Sequence, residues 1–217
     1  MKTDMKLKMK EHRSSGKLIT FCGLDGCGKT TLISMLRQYF IEMDQTVFLT
    51  KQPTDFVRQS DIFRNFMDES KHDNYEYRAL SLLAASDRVQ HSNQVILPAL
   101  SENDVVISDR YFYSCLANLR ARGYENDKWI YEIAQLIPKP DILFFLDIDV
   151  DTAVKRVKSR EEEKDRYIDF ELQYKLKEQY LKIAGENGGI VIPTNGAAEQ
   201  SFEAVKAVIE KCFLVNI

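Results

Sequence analysis

The stretch that decides the fold is Gly23-Leu24-Asp25-Gly26-Cys27-Gly28-Lys29-Thr30, which matches the phosphate-binding loop pattern G-x-x-x-x-G-K-[ST]. Because this pattern also occurs by chance, its flanks have to support it. Residues 18–22, just before it, form a short apolar run that is typical of a buried parallel strand. After it, Leu32, Leu36 and Phe40 recur at helical spacing. The order strand, loop, helix predicts a nucleotide-binding loop rather than an ordinary glycine-rich turn.

Each residue type in this loop has a physical use. The three glycines can adopt positive φ and let backbone N–H groups approach phosphate oxygens, which also lie at the positive N-terminus of the following helix. Lys29 is expected to reach the β- and γ-phosphates, and the Thr30 hydroxyl is expected to bind Mg²⁺. The loop thus predicts binding of ATP or GTP through Gly23, Asp25, Gly26, Cys27, Gly28, Lys29, Thr30 and Thr31.

The composition is that of an ordinary globular domain. Of 217 residues, 44% are hydrophobic and 29% are charged, which suits one domain with a sizeable core. No run approaches the roughly 20 apolar residues that span a bilayer, and no apolar signal segment follows Met1, so we expect a cytoplasmic protein without a membrane partner. The net charge of −3 argues against a nucleic-acid partner. The spacing of the four cysteines predicts reduced thiols, with no disulfide and no zinc.

The chain is predicted to contain one domain and a tail. Residues 1–16 are rich in lysine and predict a disordered basic tail, with a nucleic-acid-binding arm as the alternative. Residues 17–217 predict a single P-loop kinase domain, because strand and helix patterns alternate along them.

This alternation predicts an α/β fold with a right-handed, doubly wound, five-stranded parallel sheet flanked by helices. Strands are expected over residues 18–22, 46–50, 104–108, 142–147 and 188–193. Besides the helix after the loop, helices are expected over about 75–100, 112–122, 127–136, 150–158, 170–184 and 199–213, with a weaker pattern over 55–73. Pro98 is expected to kink or end the longest helix. The third strand brings Asp109 and Arg110 to its carboxyl end, where ligands bind in such sheets.

A densely charged stretch between two of these helices predicts a lid at about residues 158–168. Such a run is commonly a solvated face. In a phosphate-binding fold, however, lid arginines can exclude water and neutralise a phosphoryl group in transfer. The candidate lid arginines are Arg160 and Arg166.

Four signatures together resemble the thymidylate kinase family of P-loop nucleoside monophosphate kinases, from about Lys17 onward. They are the loop within residues 21–31, Ala85-Ser86-Asp87-Arg88, Asp109-Arg110-Tyr111 with Ser114 and Ala117, and Pro140-Asp141 leading to Leu146-Asp147. The resemblance implies transfer of phosphate from ATP, with Mg²⁺, to a pyrimidine deoxynucleoside monophosphate such as dTMP. Family members are often dimers, so it also implies a homodimer.

The resemblance implies roles for individual residues. Asp25 matches the loop acid that contacts the sugar 3′-hydroxyl, and Arg110 matches the arginine that bridges the acceptor and donor phosphates. Asp109 matches a carboxylate near Mg²⁺, Arg88 matches the helix arginine that meets the base, and Tyr111 joins the expected substrate-binding set. Catalysis by positioning and charge neutralisation is expected from Lys29, Arg110, Asp25, Arg160 and Arg166.

Three departures from the family concern the acceptor. Gln52 precedes Pro53 where a glutamate is usual, and Ala84 stands where an aromatic residue usually stacks on thymine. Asn118 and Leu119 replace an aromatic residue and a polar residue that contacts the base. A lost stacking ring weakens base binding by about 1–3 kcal/mol. Phosphate handling is therefore predicted to be intact and base recognition to be altered.

Two questions stay open at this level. Either Phe56, Phe112 or Tyr113 replaces the missing ring, or the acceptor is a different nucleotide or a nucleoside. A nucleotide-binding module without efficient turnover is a further alternative. His91 is expected at a helix surface, because phosphoryl transfer needs no imidazole.

Overall fold

A five-stranded parallel sheet lies at the centre of the computed structural model, which describes residues 6–68, 75–163 and 168–213. Its strands are β1 (Lys17–Gly23), β2 (Val47–Lys51), β3 (Val105–Asp109), β4 (Ile142–Asp147) and β5 (Ile190–Pro193). The spatial order is β2-β3-β1-β4-β5. The chain builds outward from β1 first on one side and then on the other, so the sheet is doubly wound as predicted. The carboxyl end of β1 lies at the switch point where such sheets bind ligands.

Helices cover the sheet. They are α1 (Lys29–Glu42), α2 (Asp55–Arg58), α3 (Asp61–Met67), α4 (Tyr77–His91), α5 (Leu97–Glu102), α6 (Tyr113–Ala121), α7 (Trp129–Ala134), α8 (Val150–Lys158), α9 (Phe170–Asn187) and α10 (Ala198–Phe213). None of the helices in the described ranges is long and apolar enough to cross a membrane. The predicted helix over 75–100 is divided by a π-helical turn, Ser92–Ile96. Pro98 lies in the first turn of α5, where its missing N–H is tolerated, so it begins a helix instead of ending one.

The core forms where β1, β3 and β4 run side by side. Phe21 of β1 stacks on Phe144 of β4 with ring centroids 5.0 Å apart, and both side chains are fully buried. Burial of each such side chain stabilises the fold by about 1.5–3 kcal/mol. The registers Phe21↔Asp109 and Gly23↔Leu146 bring the carboxyl ends of the three strands to one edge. This edge is where the loop after β1 begins.

The N-terminal segment differs from the predicted disordered tail. Residues 1–5 lie outside the described residues, but residues 6–16 pack on the domain. Leu7 is only 6% exposed. The Lys10 N–H donates to Ile137 O (2.9 Å), and the Lys139 N–H donates to Lys10 O (2.7 Å). The prediction was wrong for residues 6–16, because the average charge of the segment concealed the apolar residues and the backbone pairing that hold it.

Candidate active site

An open cavity of about 1080 Å³ lies at the carboxyl end of the sheet. It brings together most of the predicted site residues, namely Gly23, Asp25, Gly26, Gly28, Lys29, Thr30, Thr31, Arg88, Asp109, Arg110 and Arg160. Cys27 is buried beneath the loop and is not among the residues that line this cavity. Arg166 lies outside the described residues. One end of the cavity is formed by the glycine-rich loop, and the other lies between α4 and α6.

The glycine-rich loop is shaped by backbone conformations that other residues rarely adopt. Gly26 has φ +82°, and Gly28, the N-cap of α1, has φ +93°. A Cβ on Gly26 would lie 2.3 Å from the Ala153 carbonyl oxygen, so α8 packs directly on the loop at this point. The loop is therefore curved and fixed in place, with the N-terminus of α1 facing the cavity.

Lys29 lies across this curve. Its side chain is well covered, since the residue is 7% exposed, and Nζ donates to the carbonyl oxygens of Leu24 (2.8 Å) and Gly23 (3.3 Å). The Cys27 Sγ lies 3.5 Å from the same Nζ. The ammonium group is held where the backbone N–H groups of the loop and the helix N-terminus attract an anion, which is the place predicted for the donor phosphates.

Arg110 follows β3, and its guanidinium is held against the loop. Its φ of +67° is strained for a non-glycine residue, and its N–H donates to Phe21 O (2.8 Å). Nη1 donates to Gly23 O (3.1 Å) and to the Tyr180 hydroxyl (3.2 Å), while Nη2 forms an ion pair with Asp25. Burial alone would lower the pKa of Arg110, but Asp25 and further negative partners raise it well above its usual value. The guanidinium therefore stays charged.

Asp109 lies beside Arg110 at the end of β3. Its backbone oxygen accepts a hydrogen bond from the Gln52 N–H (2.9 Å). Its Oδ1 is buried and has no hydrogen-bond partner among the described residues. Thr30, in the first turn of α1, is exposed and lines the same cavity. A carboxylate oxygen that lacks a partner and a nearby hydroxyl are oxygen donors of the type that Mg²⁺ prefers.

The cavity wall formed by α4 contains the Asp87-Arg88 pair. Asp87 accepts hydrogen bonds from the Thr54 N–H (2.9 Å) and from the Thr54 hydroxyl, which fixes the segment after β2. Arg88 is 3% exposed, lines the cavity, and donates from Nη1 to Ala84 O (2.9 Å). The structure thus places Arg88 in the cavity wall formed by α4, whereas Asp87 holds this wall in place.

Several predicted contacts are wrong. Tyr111 is fully buried and its hydroxyl donates to Pro138 O (2.6 Å), so it supports the fold and does not contact the substrate. Phe112 and Tyr113 are also buried in the core, and Phe56 is 71% exposed; none of the three lines the cavity. These rings follow the site residues closely in sequence, but the backbone directs them elsewhere. The aromatic residues that line the cavity are Phe63, Phe66, Tyr75, Tyr77, Tyr124 and Tyr180.

Arg58 is a cavity residue that the sequence analysis missed. It lies in α2, within the stretch whose helical pattern was weak, and its Nε donates to Pro53 O (2.9 Å). Burial, followed by the positive charge of Arg110, lowers the pKa of Arg58. Two guanidinium groups that repel each other across a cavity form a site for a multiply charged anion such as a phosphate. Arg58 belongs to no motif and lies in a polar stretch, so the sequence did not indicate that it lines the cavity.

His91 is buried, contrary to the expected surface position. Its Nε2 lies 2.8 Å from Thr50 Oγ1 and its Nδ1 lies 3.1 Å from Gln52 Nε2. Because the Gln52 amide can only donate from Nε2, the geometry assigns Nδ1 as the acceptor and Nε2–H as the donor to Thr50. Burial lowers the pKa of His91. Gln52 therefore makes a neutral contact where the family pattern has a carboxylate.

Comparisons with known proteins agree with this geometry. A family model described as "Thymidylate kinase" matches residues 21–209. A probable thymidylate kinase of Pyrococcus horikoshii is 42% identical over 173 residues, covering 78% of this chain and 83% of that relative. A probable thymidylate kinase of Staphylothermus marinus is 30% identical over 207 residues, covering 94% and 98%. The solved structure of thymidylate kinase from Candida albicans matches with a TM-score of 0.74 and 25% identity, covering 92% of this chain and 93% of that one.

Proposed function

The chain belongs to the thymidylate kinase family, and from this premise we propose that it transfers the γ-phosphoryl group of ATP to dTMP, giving ADP and dTDP. The observation that carries the proposal is the position of Arg110. Its guanidinium is held against the glycine-rich loop by Gly23 O and by the predicted acceptor-binding residue Asp25, and it lies close enough to Arg58 for the two positive charges to repel. A fixed positive charge at this position suits a reaction in which two phosphate groups are brought together.

The transfer itself needs charge neutralisation and alignment more than covalent chemistry. A phosphate oxygen of dTMP forms a bond to the γ-phosphorus, and the bond from that phosphorus to the oxygen shared with the β-phosphate breaks. Lys29 neutralises charge on the donor side, and Arg110 neutralises charge between donor and acceptor. Both side chains are already held by backbone carbonyl oxygens of the loop, so little reorganisation is required during the reaction.

The acceptor is proposed to be held at three points. Asp25 accepts a hydrogen bond from the 3′-hydroxyl of the sugar, and Arg110 and Arg58 bind the 5′-phosphate from two sides. Arg88 meets the base at the other end of the cavity. Support comes from the fact that Asp25, Arg58, Arg88 and Arg110 all line the same cavity.

Magnesium fits the oxygen donors at the end of β3. The Thr30 hydroxyl and the Asp109 carboxylate, whose Oδ1 has no hydrogen-bond partner among the described residues, would hold it, directly or through water. When bound, Mg²⁺ supplies positive charge to the β- and γ-phosphate oxygens. Without it, Lys29, Arg110 and Arg58 still orient the two phosphate groups toward each other.

Arg160 is proposed as the lid arginine on the described side of the lid. It follows α8, lines the cavity, and has Nη1 4.0 Å from Glu163 Oε1. This weak, exposed pair leaves the side chain free to exchange its partner for a phosphate. Arg166 remains an equal proposal from the sequence, because it lies outside the described residues.

The test follows ADP production by purified protein with Mg²⁺ and ATP, against a panel of nucleoside monophosphates and nucleosides. We expect turnover to be fastest with dTMP and to be lost in Lys29→Met, while Lys155→Met, an exposed lysine of α8, retains full activity. Turnover restricted to another nucleotide or to a nucleoside would contradict dTMP as the acceptor. Tight ATP binding without turnover on any acceptor would support the non-catalytic alternative.

Two coarser proposals accompany this one. We place the enzyme in the cytoplasm, since Cys22, Cys27 and Cys115 are buried free thiols. We also propose the homodimer implied by the family, which light scattering on the eluting protein would test.

A further inference from the structure

The base end of the cavity has a wall that is built differently from the one the family pattern predicts. Helices α4 and α6 border this end, and the half-buried residues Tyr77, Ala84 and Asn118, with Arg122 just after α6, contribute to the lining. Ala84 leaves space where the usual stacking ring would lie. Arg122, the residue that ends α6, brings a guanidinium group to the same wall.

Arg122 is held in a defined position. Its Cζ lies 3.9 Å from the centroid of the Tyr77 ring, and its Nη1 donates to Asn118 Oδ1 (2.8 Å). Asn118 is fixed in turn, because its Nδ2 donates to Ser114 O (2.9 Å). The Asn118 amide oxygen thus accepts from Arg122, while the amide nitrogen donates to the backbone of α6. Asn118 is thus a positioning residue, and Tyr77 supports one face of the guanidinium.

The two arginines of this wall, Arg88 and Arg122, can only donate hydrogen bonds. A guanidinium group donates hydrogen bonds and cannot accept them. Arg88 and Arg122 therefore present donors from both helices that border the base end. A base held between them must offer acceptors. Thymine and uracil carry carbonyl oxygens at C2 and C4, whereas cytosine carries an amino group at C4, a donor that would face another donor.

We propose that Arg122, positioned by Asn118 on the ring of Tyr77, binds a carbonyl oxygen of the acceptor base and selects 4-oxo pyrimidines over cytosine. This inference rests on the proposed function and deepens it. It assigns base recognition to the end of α6, in a chain that lacks the stacking residue at position 84. The selection acts on binding of the base, so it should affect KM more than kcat.

The test compares Arg122→Met with Arg78→Met. Arg78 is a matched control, because its Cζ lies 4.3 Å from the centroid of the Tyr124 ring and its Nε pairs with Asp127 (3.0 Å), yet it is not among the cavity-lining residues. The kcat and KM are measured for dTMP, dUMP and dCMP, with the KM for ATP and the Tm of each variant. Asn118→Ala is measured in parallel.

For Arg122→Met we expect the KM for dTMP and dUMP to rise roughly tenfold, with kcat within about twofold, as for loss of one charged hydrogen bond. The preference for dTMP over dCMP should fall by about the same factor, while the preference for dTMP over dUMP stays constant. Asn118→Ala should lower the preference for dTMP over dCMP by a smaller factor. Arg78→Met should leave both this preference and the KM for dTMP unchanged.

If Arg122→Met left the ratio of kcat/KM for dTMP to kcat/KM for dCMP unchanged, the inference would be overturned. A shift of this ratio in Arg78→Met as large as in Arg122→Met would also overturn it. Failure of the proposed function gives a different result, since the unmodified protein itself would then not turn over dTMP.

Discussion

Gly26 and Gly28 meet different requirements of the phosphate-binding loop: both allow positive φ, but only Gly26 also leaves room for a neighbouring helix. Both have positive φ, but a Cβ at Gly26 would lie 2.3 Å from the Ala153 oxygen, whereas a Cβ at Gly28 would meet nothing within 4 Å. We expect Gly28→Ala to lower the free energy of unfolding by about 1–2 kcal/mol, from backbone strain alone. Gly26→Ala should lower it by about 3 kcal/mol or more, because α8 has to move. Urea denaturation measures both losses, and equal losses would contradict this account of the loop.

Arg58 is the residue proposed to bind the 5′-phosphate of dTMP together with Arg110. It lines the cavity beside Arg110, whereas Arg64 of α3 is exposed and pairs with Asp61. We expect Arg58→Met to raise the KM for dTMP about tenfold or more, because a phosphate loses a charged hydrogen-bond donor. Arg64→Met is the control and should leave the KM within about twofold. Steady-state kinetics at saturating ATP measure the difference, and a larger effect at Arg64 would refute the assignment.

At the scale of elements, Asp141 ties the N-terminal segment to the start of two strands. Its Oδ2 accepts from the Leu18 N–H (2.8 Å) and lies 3.0 Å from His12 Nε2, and its Oδ1 lies 3.2 Å from Lys17 Nζ. These contacts lie at the amino end of β1 and β4, opposite the cavity. The Pro140-Asp141 signature, which is part of the resemblance to a kinase family, therefore holds the fold together in this chain.

Asp141→Ala should consequently act on stability and spare the chemistry. We expect the free energy of unfolding to fall by about 1–3 kcal/mol, because a backbone N–H and two side chains lose their acceptor. The kcat should stay within about twofold. Denaturation and dTMP kinetics on the same preparation measure the two quantities, with Asp61→Ala as the exposed control. A large loss of kcat with unchanged stability would show that the contact serves the site instead.

The elements that were predictable from sequence are those that one local pattern determines. The strand Ile142–Asp147 and the helix Val150–Lys158 were predicted with the bounds observed, because a buried apolar run and a strongly amphipathic repeat each specify their own limits. The π-helical turn Ser92–Ile96 has no such local pattern. Its place depends on how α4 and α5 pack on the sheet, which neighbours in sequence do not reveal.

Side-chain positions in the site divide in the same way. Lys29, Asp109 and Arg110 follow strands directly or through a short loop, so strand order alone predicts that they meet. The aromatic lining could not be predicted, because it depends on the packing of α3, α4 and α6, which are distant in sequence. Arg122 belongs to this second group. Its contact with Tyr77 joins two helices that no local pattern relates.

At the scale of the whole molecule, His91 links β2 to α4 and makes folding sensitive to pH. Its contacts with Thr50 and Gln52 use the neutral imidazole. Burial lowers the pKa of His91; the nearby Asp87 opposes this shift and Arg88 reinforces it. In the unfolded chain the imidazole titrates near its usual value of about 6.5. Below that pH the unfolded chain binds a proton that the folded protein excludes.

The stability of the folded protein should therefore fall as the pH decreases through about 6.5, by up to about 1.4 kcal/mol per pH unit until the folded pKa is reached. Above that pH both states are neutral at His91 and its contribution is constant. The free energy of unfolding, measured by urea titrations between pH 7.5 and 5.5, gives the slope.

Gln52→Glu should flatten this slope, because a carboxylate beside Nδ1 stabilises the imidazolium and raises the pKa of His91 in the folded protein. His91→Gln should remove this component of the slope whatever its effect on stability at pH 7.5. A slope unchanged in both variants would mean that other groups control the acid sensitivity and that the imidazole between β2 and α4 titrates alike in both states.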